Sequence, residues 1–533
     1  MLSFLPVFIL ISASLVIQVF GRLKMRAGTT WLLAAIVVFA AWISMIPIGF
    51  LLPQPVVMEQ WLPQPFAFTP VTFQYSAETW VFGFLLTSLL VAVIFSEAKY
   101  LDSPGYINKI TGSMLLSAFG LLAIMARSDL AFVLTWSLID LVEFGALVVL
   151  IGKPKSHQSA TTSVLFRVVG ILLLIILIAL KPATGAPSAS AGLSPFLWWI
   201  MIFMILFRMG VIPMYLPYSE EPGFQRGLVT ILRILPLLSA FSFITFISGF
   251  GVPPIHKGFL FVVLTIALLY GSISWFSSSN ELKGRPYWIF TMAVFGLIVL
   301  LTGEVNALTG LAVVLVAGGS GLFLYSPRLR KIPPFIIILL LSILTIPFTP
   351  SVFFSQIFIG EKLAFQQVMW LLGYSFLPAG MIKHSLHRVD QPEQREPWML
   401  LFQNIALYFI TLSPWILVGV NFSQQKTLVN WWPSVTIVVM VVLIIAAFIN
   451  LTRRISSLRA RYPKISVIFE KSIHLVGSFL KFTWLSRLLA SISFIIEKIV
   501  HLFTSVLEGD GGILWSFLFL VLLLSLLFTR QVP

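Results

Sequence analysis

Apolar runs of about twenty residues, set off by short polar connections, recur along this chain, and that length is what an α-helix needs to cross a bilayer. The pattern predicts spans at 4–20, 31–52, 78–96, 109–126, 130–151, 163–180, 195–222, 224–249, 258–276, 287–302, 307–325, 333–360, 363–382, 398–420, 431–450 and 512–529. Two of them are broken. FRMGVIPMYLPYSEEPGFQRGLVTILRILP, from Phe207 to Pro236, carries Arg208, breaks at Pro213, Pro217 and Pro222, and resumes with Arg226 and Arg233. LTIPFTPSVFFSQIF breaks at Pro347 and Pro350. Backbone groups freed by proline must be satisfied inside protein or at a water-filled cavity, so such breaks rarely face lipid. One proline-interrupted segment in each half marks a transport site between inverted repeats. The plainer reading is a pair of kinked helices.

From about 464 to 508 the period changes. Lys471, His474, Ser478 and Lys481, then Arg487, Ser491, Lys498, His501, Ser505 and Glu508 recur mostly at steps of three, four or seven among Ile, Leu, Phe and Trp. This predicts an amphipathic helix with a basic face, lying along the membrane surface or against other helices. Gly511 and Gly512 then punctuate, and the final apolar run is an anchor.

Composition agrees. The 533 residues are 59% hydrophobic and 10% charged, with a mean hydropathy of +1.01. The expected fold is an all-α polytopic membrane protein with about fourteen core helices, two of them broken and placed in inverted repeats, plus a C-terminal lateral helix and an anchor. Its expected organisation is 1–108 (helices 1–3), 109–249 (first repeat, helices 4–8), 258–382 (second repeat, helices 9–13), 398–450 (helices 14–15), 451–510 (lateral helix) and 511–533 (anchor). The alternating ten-residue strands of an outer-membrane barrel are absent.

Zero cysteines exclude disulfides and thiolate-held metal or iron–sulfur sites. The net charge of +15 suggests anionic headgroups rather than nucleic acid, because the basic residues cluster in short connections. With the N-terminus outside, Lys and Arg in those connections, Lys109 counted with its loop, number 15 on the inner side and 5 on the outer. That asymmetry is the positive-inside pattern. The first apolar run has no basic residue before it and Arg22, Lys24 and Arg26 after it, as in a retained helix rather than a signal peptide.

The candidate chemistry lies in the charges within spans. In SDLAFVLTWSLIDLVEFGALVVLIG, Ser137 and Asp140 stand one turn apart and Glu143 follows three residues later, so the acids share part of a face. Two carboxylates there repel unless cations balance them, and Arg167, Arg208 and Arg233 are the candidates. A buried, hydrated row of this kind suits proton relay; static ion pairs between helices are the equal alternative. His157, His256, His384 and His387 are assigned to loops, His474 and His501 to the amphipathic face, and no metal or cofactor site is expected in this chain.

Four stretches carry a family resemblance: ARSDLAFVLTW up to Trp136, ATTSVLFRVVG with Arg167, FRMGVIPMYLP with Arg208, and LTIPFTPSVFFSQIF. Together with the helix order and lateral helix they resemble the antiporter-like membrane subunits of respiratory complex I (NADH:quinone oxidoreductase), multisubunit sodium/proton antiporters and membrane-bound hydrogenases. The layout is that of the distal, lateral-helix-bearing subunit. The resemblance implies proton or cation translocation within a multisubunit assembly, in a bacterial cytoplasmic or an energy-transducing organelle membrane, with redox chemistry in partner subunits. Three departures stand out. The family's fifth-helix glutamate falls on Ser137, its seventh-helix lysine on Arg208, and its twelfth-helix lysine or glutamate on Gln356. A relay lysine can release its proton when buried, whereas arginine effectively never does, and glutamine carries none. The alternatives are a non-pumping structural subunit of such an assembly, or a stand-alone secondary transporter or flippase.

Overall fold

The apolar runs fold as helices in the computed structural model, which describes residues 2–52, 55–58, 70–101, 105–150, 154–180, 194–211, 226–248, 254–325, 333–359, 365–386, 396–420 and 431–461, with Ser491 and Lys498. The helices are α1 (Leu5–Arg22), α2 (Ala27–Leu51), α3 (Ala77–Ser96), α4 (Tyr106–Met125), α5 (Asp129–Leu150), α6 (Pro154–Leu180), α7 (Pro195–Met209), α8 (Leu228–Ile247) and α9 (Pro254–Ser277). They continue with α10 (Glu281–Thr302), α11 (Ala307–Val313), α12 (Gly319–Leu324), α13 (Pro334–Ile343), α14 (Phe365–Ser385), α15 (Pro397–Leu412), α16 (Trp415–Val420) and α17 (Trp431–Arg461). Among the described residues, eleven helical stretches are long and apolar enough to cross a membrane, and the chain is an all-helical, multi-pass membrane protein. Its short sheet pairs Val56–Val57 with Thr72–Phe73, antiparallel.

Some helices begin ahead of their apolar runs, α10 with a polar cap and α6 with a proline in its first turn. Asn280 accepts from Lys283 N at 2.8 Å and starts α10 six residues before the expected 287, and α6 starts at Pro154 rather than 163. His256 and His384, expected in loops, lie in α9 and α14, because those helices also run past their hydrophobic cores. Between α11 and α12 the ladder loosens into a π turn, Val314–Gly318, which apolar residues on every side concealed. α17 continues to Arg461, through residues 451–461 that the hydrophobic pattern gives to the lateral helix.

The chain divides into residues 1–461 and 462–533. The expected lateral helix beyond 461 and the anchor lie outside the described residues, apart from Ser491 and Lys498, and so do Pro213, Pro217 and Pro222. Within the first unit, α3, α8, α10 and the α11–α12 stretch are buried nearly all round and form the centre. α17 instead exposes Val435, Val439, Val442 and Leu443, the apolar exterior expected of a lipid-embedded helix.

The break at Pro347 and Pro350 follows the rule for such sites. α13 ends at Ile343; Thr345 and Phe348 take positive φ (53° and 65°), and a 3-10 helix resumes at Val352–Phe358. The freed groups find partners within protein. Tyr374 Oη donates to Ile343 O, Ser434 Oγ to Thr345 O at 2.7 Å, and Thr345 N to Ser351 Oγ at 3.1 Å. Gly310 of α11 lets this irregular backbone come close: a Cβ there would stand 2.5 Å from Phe354 N and 2.8 Å from Ser351 O. Gly310→Ala is therefore expected to cost about 1–3 kcal/mol of stability. This is read as an earlier melt in detergent than Gly145→Ala, whose Cβ meets nothing within 4 Å.

Candidate functional site

α5, α6 and α7 bring four of the sequence-predicted residues together. Asp140 and Glu143, 4% and 1% exposed, point inward from the middle of α5. Arg208, wholly buried one residue before the end of α7, donates from Nη1 to both Asp140 oxygens at 2.7 and 2.8 Å. Arg167 of α6 is hydrogen-bonded to Glu143 Oε2, and its Nη1 lies 3.9 Å from Asp140 Oδ1. The row thus alternates two acids with two guanidiniums and is close to neutral, which is what burial demands.

The surroundings hold the row in place. Phe166 stacks on Phe207 at 5.8 Å, locking α6 to α7 beside Arg167 and Arg208. The Arg208 guanidinium sits over the Trp136 ring at 4.9 Å, a contact the charge pattern did not disclose. α7 stops at once after Arg208 and Met209 because Gly210 adopts φ +69°, with its N–H returned to Leu206 and Phe207 carbonyls. Nε and Nη2 of Arg208 and Nε1 of Trp136 are buried without a protein acceptor. Buried donors of that sort are ordinarily met by water.

Arg233, the third candidate cation, sits beside a second charged cluster. On α8 it lies within electrostatic reach of Arg285 of α10, as do Arg226 and Glu281. In this second cluster Arg226 pairs with Glu281 at 2.7 Å and donates to the carbonyls of Phe323 and Tyr325 at the end of α12, and Arg285 lies over the Phe323 ring at 4.9 Å. Arg285 and Glu281 stand ahead of the apolar run at 287–302, where hydropathy places them in a loop.

The departures from the family pattern also have places. Ser137 is exposed and donates to Val133 O at 2.7 Å, so the position faces away from Asp140's row. Gln356 lies in the 3-10 helix after the second break, its Oε1 buried with no hydrogen-bond partner. His384 is 1% exposed, its Nε2 3.1 Å from both Trp275 O and Ser278 Oγ, while Lys383 Nζ donates to the Phe276 and Ser278 carbonyls at 2.6 and 3.0 Å and caps α9. Among the described residues no three His, Asp or Glu side chains gather as metal ligands would.

No protein-family model matches the chain, and no curated protein sequence matches it. A solved structure does. A chain in the structure of the Mrp complex from Dietzia sp. is similar over the whole of this protein, with a TM-score of 0.66 and 13% identity. This protein spans 63% of that chain's length. What the two share is a fold, that of a polytopic helical membrane protein.

Proposed function

We propose that this protein is an ion-translocating, antiporter-like membrane subunit of a multisubunit assembly of the complex I and Mrp kind, moving protons or another cation. The carrying observation is the buried Glu143–Arg167–Asp140–Arg208 row, spread over three packed helices. The shared fold with a chain of the Mrp complex supports the class of assembly. The complex I kinship rests on the sequence resemblance, the N-terminus outside on the Lys and Arg asymmetry, and the inverted repeats and lateral helix on the hydrophobic pattern.

In this reading the carboxylates carry the proton and the guanidiniums carry none, since arginine keeps its proton under all physiological conditions. Arg167 can nevertheless move. When Glu143 is protonated its hold on Arg167 weakens, and Asp140, already 3.9 Å away, offers the other carboxylate. Arg208 stays with Asp140 as a fixed charge. The unpartnered Arg208 and Trp136 donors suit a wetted passage beside the row. Any redox chemistry belongs to partner subunits.

Asp140→Asn is expected to abolish coupled pumping with assembly intact, measured by dye-reported acidification of inverted membrane vesicles and by native electrophoresis. Pumping at the wild-type rate would refute the reading. The second reading, a structural subunit, is favoured by one observation: the two-point contact of Arg208 with Asp140, at the position where the family keeps a releasable lysine, looks like a permanent clasp.

A further inference from the structure

We infer that Glu97 is a second proton-binding carboxyl, at one membrane end of the α3–α4–α8 group, and that it loads the row described above. The loading role rests on the proposed function; the proton-binding site does not.

Glu97 follows the last residue of α3 and is 6% exposed. One oxygen, Oε1, is pressed against the start of α8, where a Cβ on Gly227 would stand 1.7 Å from it. Gly227 itself has φ +58°, so only glycine suits both the backbone and the contact. Oε2 is buried with no hydrogen-bond partner. A buried carboxylate oxygen without a donor is costly, whereas a carboxylic O–H turns that oxygen into a donor.

Other groups nearby share its condition. The Tyr106 hydroxyl on α4, which feels the Glu97 charge, and Thr230 Oγ1 in the first turn of α8 are both buried without partners. Tyr106, Ser113 and Ser117 stand seven and four residues apart, on one face of α4. Gly120, one turn further, packs on Leu235 of α8 and Leu86 of α3, so that face looks into the groove between those helices. Ser117 Oγ is again buried and unpartnered. Gly112 of α4 packs beside Ala146 of α5, and the short connection from Met125 to Asp129 makes these neighbouring helices antiparallel. Ser117, five residues along, therefore stands at about the depth of residue 141, level with Asp140. A polar line thus climbs α4 from Glu97 to the depth of the row.

Among the described residues, the charges facing Glu97 are Lys99 on its own turn and Lys109 on α4. Arg226, just ahead of Gly227, is engaged by Glu281 and two carbonyls; α15, which also packs on this turn, brings Gln403 and, at its N-cap, Glu396. The two lysines hold a proton-releasing state of Glu97, and burial of the bare oxygen favours the loaded one, so the site can exchange. A mere cap on α8 would need only the Oε1 contact.

The test is hydrophobic carbodiimide labelling of the full-length protein in its native membrane, read by mass spectrometry of the peptide containing Glu97. A protonated carboxyl adds to the reagent, its proton passing to nitrogen and its oxygen to the central carbon, and rearranges to a stable acylurea; a carboxylate does not. Labelling of Glu97 that falls as pH rises is expected. Glu97→Gln, which keeps an acceptor for α8, is expected to lose the label and proton translocation while the assembly stays whole. An unlabelled Glu97 at every pH overturns the site, and wild-type translocation by Glu97→Gln overturns its loading role. A labelled Glu97 in a protein whose wild type translocates nothing upholds the site and defeats the proposed function.

Discussion

Arg208→Met is expected to destabilise the protein by about 3–5 kcal/mol, because it strands the Asp140 carboxylate in the core of the α5–α6–α7 group. Arg167 offers only partial relief, being 3.9 Å away and already bonded to Glu143. Asp140→Leu strands Arg208 instead and should cost a similar amount. The double variant removes both charges and fills the space with carbon, so most of the loss is expected to return. Denaturant unfolding of the purified chain, followed by tryptophan fluorescence, gives the coupling energy. Single losses that simply add would show that the pair does not behave as a unit.

Glu143→Gln should have the largest effect on transport. The amide can still accept a hydrogen bond from Arg167, so folding and assembly are expected to survive. Its inability to hold an exchangeable acidic proton should lower translocation by about a hundredfold or more, the lower range of what a positioned proton-transfer group contributes. The readout is the initial rate of vesicle acidification, normalised to assembled complex. A rate within twofold of wild type would take Glu143 off the path.

Much of this was legible in the hydrophobic pattern. Asp140, Glu143, Arg167 and Arg208 stand out because a charge is costly in an apolar span, and the structure gathers all four. Partner choice was not legible. Nothing in the spacing singled out Arg208 as the residue that meets both Asp140 oxygens, or placed Arg233 within reach of Arg285, because both depend on how α7, α8 and α10 pack. Charges at helix ends were undervalued for one recurring reason. Glu97, Glu281, Arg285 and His384 lie just outside apolar runs, where hydropathy alone assigns them to solvated loops, yet close packing buries each. The break at Pro347 and Pro350 was visible because proline lacks an N–H; its partners Tyr374 and Ser434, on distant helices, were not. The π turn at Val314–Gly318 has no compositional mark at all.

The distinction that matters most is whether the Asp140–Arg208 contact is a clasp or one station of a working row. Exchanging the two charges, Asp140→Arg with Arg208→Asp, separates them. The exchanged pair keeps opposite charges in contact between α5 and α7, but removes the carboxylate that Arg167 can reach when Glu143 is protonated. Coupled acidification by vesicles bearing this double variant is the measurement. A complex that assembles normally and pumps nothing is the expected result; one that assembles and pumps at the wild-type rate would contradict a row of carboxylates as the proton carrier.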